Sequence, residues 1–291
     1  MTIDFLQDRI RKMKSPIAVN FSVLPDQIPA HILEAAGNFL DARQVYFSEL
    51  LLALREIVPA VRFSYPGFAV AGSAGLESLS KLLSLAREYG YYIMLDGVEA
   101  LSAQEATYFA SQFMDDACPW YFDALIMPAY IGSDGIKPYL SQMKDKEKDL
   151  FVVVRTGNKT ATELQDLLTG TRLMHLAAAD IVDRFTQPLM TKCAYSQLAM
   201  MAGASSASSL KTLREKYKSA FIMVDGCDYS NGNVKNCASA FDQIGHGAVV
   251  CAGLSVVAAW QEEGNETAYL QASVEAAQRL KKNLQRYVTI L

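Results

Sequence analysis

Eight short runs of almost unbroken apolar residues, each followed by a longer stretch, set the pattern of the sequence. They cover residues 17–23, 60–65, 91–96, 124–128, 150–156, 196–202, 220–225 and 248–251. Strands buried on both faces of a parallel sheet read this way, because neither face alternates with solvent. Helical periodicity fills intervals at 44–57, 76–89, 103–113, 162–168 and 206–217, and an amphipathic stretch at 266–287 closes the chain. Eight strands, each followed by a helix, predict an α/β fold of the (β/α)8 TIM-barrel type rather than an open doubly wound sheet. At 291 residues two domains of ordinary size would fit, but no Pro/Ser-rich linker or shift in composition divides the chain. One barrel domain over residues 1–291 is the expectation.

In such a barrel the strand ends carry the binding and catalytic groups. The polar or turn-forming residues there are Ser22, Asp96-Gly97, Arg155-Thr156-Gly157-Asn158 and Asp225-Gly226. The KDKEKD run at 144–149 alternates in sign and reads as a solvated surface stretch. With 27 basic against 31 acidic side chains, a net −4, the composition offers no concentrated basic face for nucleic acid. The first residues contain no apolar signal-peptide core, and no run approaches the roughly 18 apolar residues that a membrane span needs. Neither nucleic acid nor membrane is an expected partner, and the cytoplasm is the expected location.

Several familiar sites are missing from the sequence. It contains no G-x-G-x-x-G or P-loop fingerprint, no HExxH and no GxSxG elbow. His31, His175 and His246 show no paired spacing and read as surface or packed histidines, with no metal site. The five cysteines, Cys118, Cys193, Cys227, Cys237 and Cys251, lack CxxC spacing and read as reduced thiols.

The segments FDALIMPAYIGSDGIKPYL and FVVVRTGNKTATELQDL carry a resemblance. They are similar to the bacterial branch of the orotidine 5′-phosphate decarboxylase family, with its NPYxGxD and RTSNP signatures. Pro128, Tyr130, Gly132, Asp134 and Pro138 match the first signature, with one extra residue between proline and tyrosine. Arg155, Thr156 and Asn158 match the second, with Gly157 at the serine position. Further matching segments run in order through the chain: PIAV at 16–19, VRFSYPGFAVAGSAGL at 61–76, LREKYKSAFIMVDG at 213–226 and CAGL at 251–254.

The resemblance implies a reaction without metal or organic cofactor. Loss of CO₂ leaves a carbanion-like centre on the pyrimidine, which needs a neighbouring cation and a proton. The family supplies these from a lysine on the second strand and an Asp-x-Lys-x-x-Asp array after the third. Here the second-strand lysine falls on Arg62 and the first aspartate is retained as Asp96. The catalytic lysine falls on Val98, the last aspartate on Leu101, and the ribose-binding aspartate of the first strand on Ser22. Valine can neither donate a proton nor offset negative charge, and arginine is a poor acid at neutral pH.

The phosphate grip differs too. The family's PGxGAQGG loop reads VDGCDYSNGN, with Asp225 for proline, Asp228 for glycine and Ser230 for glutamine, and its later arginine is Ala252. Two added carboxylates and a lost guanidinium oppose a dianion here.

These exchanges imply a barrel of this family that has lost decarboxylation and works as a binding or interaction protein or an altered enzyme. The alternative is a divergent but active orotidine 5′-phosphate decarboxylase of pyrimidine synthesis. That requires another cation such as Lys159, since no lysine lies between Lys81 and Lys137. Arg62 and Asp96 are the candidate catalytic pair. Arg155, Thr156, Asn158, Asp225, Gly226 and Gly253 are the candidate binding residues. The two charged groups form either a residual ion pair or, with Arg155 and Asp225, the lining of a pocket for a nucleotide or other small molecule. A homodimer is implied by the resemblance.

Overall fold

In the computed structural model, which describes residues 1–228 and 232–291, eight parallel strands close into a barrel. They are β1 (Ile17–Phe21), β2 (Ala60–Ser64), β3 (Tyr92–Asp96), β4 (Ala124–Pro128), β5 (Asp149–Arg155), β6 (Ser196–Gly203), β7 (Ala220–Asp225) and β8 (Ala248–Ala252). The order β1-β8-β7-β6-β5-β4-β3-β2 returns to β1, so the barrel itself has no open strand edge. Strands β3, β6, β7 and β8 are buried at every residue, which is why they read as continuous apolar runs.

A helix follows each strand, and two begin where a serine caps them. Ser102 accepts the Glu105 amide at the start of Ala103–Phe113, and Ser206 does the same for Ser209 at the start of Ala207–Lys216. No helix among the described residues is long and apolar enough to cross a membrane.

The helix expected at 162–168 does not form. A 3₁₀ turn (Lys159–Glu163) leads instead to a small antiparallel pair, Leu168–Thr169 with Arg172–Leu173, and the helix begins only at Met174. Gly170, at φ +67°, makes the reversal that ends any helical path. The leucines that gave the periodicity, Leu164, Leu167 and Leu168, are exposed.

An unpredicted N-terminal helix, Ile3–Met13, buries Ile3, Leu6 and Ile10. Its Asp4 accepts the amides of Lys192 and Cys193, and Gln7 accepts that of Gly247. Those partners precede β6 and β8, so this helix lies across the N-terminal end of the barrel.

The 144–149 run is solvated only in part. Asp149 opens β5 and is fully buried, so the surface reading fails at its last residue. Tyr92 donates its hydroxyl to Asp149 Oδ2 at 2.6 Å. Burial pushes the Asp149 carboxyl well above the ordinary carboxylate range, and the nearby Asp123 adds to the shift, against the Tyr92 bond and the Met1 amino group. A carboxyl raised in the folded state contributes stability that is complete below its unfolded pKa of about 4 and lost as pH rises. Asp149→Asn keeps an acceptor for Tyr92 and removes that loss. It is expected to match the wild type near pH 4 and to exceed it increasingly by pH 8, by on the order of 1–2 kcal/mol in urea unfolding.

Candidate functional site

At the C-terminal end of the barrel one guanidinium joins three strands. Arg62 on β2 donates through Nε to Asp96, the last residue of β3, and through Nη1 to Asp225 Oδ1, the last residue of β7, at 2.9 Å. The side chains are 15%, 9% and 12% exposed, so the array is largely withdrawn from water. Burial alone would lower the Arg62 pKa, but the charges of Asp96 and Asp225 outweigh it and hold it above its ordinary high value. The guanidinium is permanently charged and already committed to two carboxylates. Burial pushes the thiols of Cys227 and Cys251, close to this array, upward as well, which disfavours thiolate chemistry.

The other expected reactive positions differ in exposure. Val98 is 6% exposed and belongs to the hydrophobic core, whereas Leu101 is 82% exposed. Ser22 and Lys159 are both exposed. Ser230 falls outside the described residues.

Arg155, expected with Arg62 and Asp96, turns instead to a second cluster. Its guanidinium makes a two-pronged bond to Asp166, with Nε–Oδ1 at 3.1 Å and Nη2–Oδ2 at 3.0 Å, and also donates to Ser205 Oγ at 2.9 Å. The Arg155 bond holds the Asp166 carboxyl below its ordinary range, against the smaller effect of burial. His175 is packed beside them, with Nδ1 3.1 Å from Asp166 Oδ1 and 3.0 Å from Gln165 O. Gln165 accepts the Thr156 amide at 2.7 Å and donates to Thr156 Oγ1 at 2.8 Å, while Thr156 also bonds Asn158. Asp166, Gln165 and His175 thus tie the RTGN turn to the segment after it. Nothing in their local sequence marked them, because their partners are fixed only when the Met174–Asp183 helix packs back on β5.

Thr156 also lines a cavity of about 400 Å³ between β4, β5 and the Met174–Asp183 helix. Its wall is mostly apolar, including Val153, Met174 and Ile181.

Gly226 and Gly253 sit on the turns after β7 and β8. Gly226 has φ +70°, a conformation open to glycine. The Gly253 amide donates to Asp228 Oδ2 at 2.8 Å.

No family model matches the chain. Orotidine 5′-phosphate decarboxylase of Rhodopirellula baltica is 26% identical over 245 residues, covering 82% of this chain and 81% of the relative. The enzyme of that name from Clostridium novyi is 23% identical over 289 residues, covering 98% and 99%. Among solved structures, the Leishmania donovani OMP decarboxylase superposes with a TM-score of 0.71 at 19% identity, covering 97% of this chain and 99% of that one. The Plasmodium berghei orotidine 5′-monophosphate decarboxylase gives 0.73 at 13% identity, covering 97% and 99%. At such identities the superpositions speak for the fold alone. Along nearly its full length, and on a closed eight-stranded barrel, the chain is similar to the orotidine 5′-phosphate decarboxylases.

Proposed function

We propose that this barrel does not decarboxylate orotidine 5′-phosphate and is retained for binding. The observation that carries the proposal is the state of Arg62. It occupies the place of a family lysine, yet its guanidinium is divided between Asp96 and Asp225. A decarboxylase needs a cation free to follow charge developing on the substrate and a group able to release a proton there. Arg62 is already neutralised and is a poor acid. Val98, at the position of the proton-donating lysine, is a core aliphatic. The exposed Lys159 does not change this, since among the described residues it makes no ion pair with the Arg62 array.

The proposal includes a homodimer. Tyr130 (86% exposed), Leu168 (73% exposed), Leu164, Leu167 and Met174 are exposed apolar side chains around the β4–β5 side of the barrel mouth. Surfaces of this kind mark interaction sites more often than solvated faces do. Sedimentation should give the mass of two chains; a monomer at micromolar concentration contradicts this part.

A uracil-requiring strain lacking its own decarboxylase tests the reading in cells. Expression of the soluble chain should not restore growth without uracil, and restored growth would overturn the proposal.

A further inference from the structure

At the end of the barrel opposite the Arg62 array, two helix ends bring cations together. Residues 8–14, closing the helix Ile3–Met13, carry four cations against Asp8. Residues 279–286, closing the helix Tyr269–Gln285, carry four cations and no carboxylate. The two segments touch: Lys281 Nζ donates to Met13 O at 2.8 Å, and Gln285 Nε2 to Lys14 O at 3.0 Å. The fold thus builds a local charge of +7 on a chain of net −4. Lys14 and Gln285 are 271 residues apart, so only tertiary contact creates this face. Arg279, Lys282 and Arg286 follow one another at helical spacings of three and four, which makes one exposed row roughly 10 Å long. Lys282 and Arg286 have no carboxylate partner among the described residues.

We propose that this face binds the phosphate backbone of double-stranded nucleic acid without reading its bases. One strand of a duplex rises about 3.4 Å per nucleotide, so the row on the last helix spans about three of its phosphates. Arg11 and Lys12, 54% and 69% exposed, add cations on the neighbouring helix. They share the one carboxylate of Asp8, a solvated contact that a polyanion can replace. A helix that lies on a membrane keeps an apolar face for lipid, and a protein interface keeps an apolar centre. Here Ile3, Leu6 and Ile10 of one helix, and Leu280 and Leu284 of the other, are buried in the fold itself. What these helices turn outward is charge. The face is remote from the barrel mouth, so it stands apart from the reading of Arg62.

The test follows binding of the full chain to a fluorescein-labelled DNA duplex of random sequence by anisotropy. With about five phosphates neutralised, log K should fall against log salt with a slope of about −4 to −5. That is a loss of roughly 10²- to 10³-fold between about 50 mM and about 200 mM salt. Lys282→Gln with Arg286→Gln should weaken binding at least about tenfold at the lower salt and reduce the slope by about 2. Lys81→Gln with Lys211→Gln removes the same charge from two other helices, Gly72–Glu88 and Ala207–Lys216. That control should change binding by less than about twofold, because only cations at the contact release counterions. No binding at the lower salt, or an equal loss in the two double variants, overturns the inference. Binding to phosphatidylserine vesicles in place of the duplex overturns it as well.

Discussion

Arg62→Ala is expected to lower the free energy of unfolding by about 3 kcal/mol or more, read from urea denaturation. The loss follows from what the substitution leaves behind, not from the value of the ion pairs themselves. Asp96 and Asp225 would remain at the barrel mouth, 9% and 12% exposed, without the cation that each now bonds. Removing one partner of a buried pair strands a charge, whereas replacing the whole array by neutral groups of similar volume is often tolerated. Arg62→Met combined with Asp96→Asn and Asp225→Asn should therefore recover most of the stability. If Arg62→Ala costs less than about 1 kcal/mol, the three side chains are not energetically coupled. The distinction bears on function, because a guanidinium that mainly offsets two carboxylates is not available to a substrate.

Gly97→Ala is expected to destabilise by about 3 kcal/mol, the sum of a backbone and a packing effect. Gly97 follows Asp96 directly and has φ +82°, where any side chain is strained. A Cβ there would lie 2.2 Å from Pro66 Cδ and 2.5 Å from Pro66 Cγ. Pro66 belongs to the short helix Tyr65–Ala69 that follows β2, so it cannot retreat without moving the turn beyond Arg62. Gly264 is the control. It has a similar φ of +67°, but a Cβ at that position would meet nothing within 4 Å. Gly264→Ala should cost about 1 kcal/mol, the backbone effect alone. Equal losses at the two positions would mean that contact with Pro66 is unimportant.

The barrel was legible in the sequence because its signal is local. Ala124–Pro128 and Ala220–Asp225 coincide with the apolar runs that mark them, and the other strands differ by a residue or two at their ends. The segment at 162–168 misled because exposed leucines at helical spacing resemble a buried stripe. The N-terminal helix was legible in principle, since Ile3, Leu6 and Ile10 repeat at helical spacing amid charged residues. Asp149 went unrecognised because sign alternation does not show where a strand begins.

Of the candidate site, Arg62 and Asp96 were named from the resemblance, and the structure joins them across adjacent strands. The third member, Asp225, lies 163 residues away and meets Arg62 only once the barrel closes. The same reason hid Asp166 and His175 beside Arg155, and Ser255 beside Asp228. Each of these polar groups had several candidate partners in the sequence, and tertiary packing chose among them.

The proposal that this chain does not decarboxylate orotidine 5′-phosphate is tested most directly by release of CO₂ from that nucleotide by the purified chain. Formation of uridine 5′-phosphate is followed alongside it. No release above the uncatalysed background is expected at any enzyme concentration. Release proportional to enzyme, at an ordinary turnover of about 1 s⁻¹ or faster, would contradict the loss of this reaction.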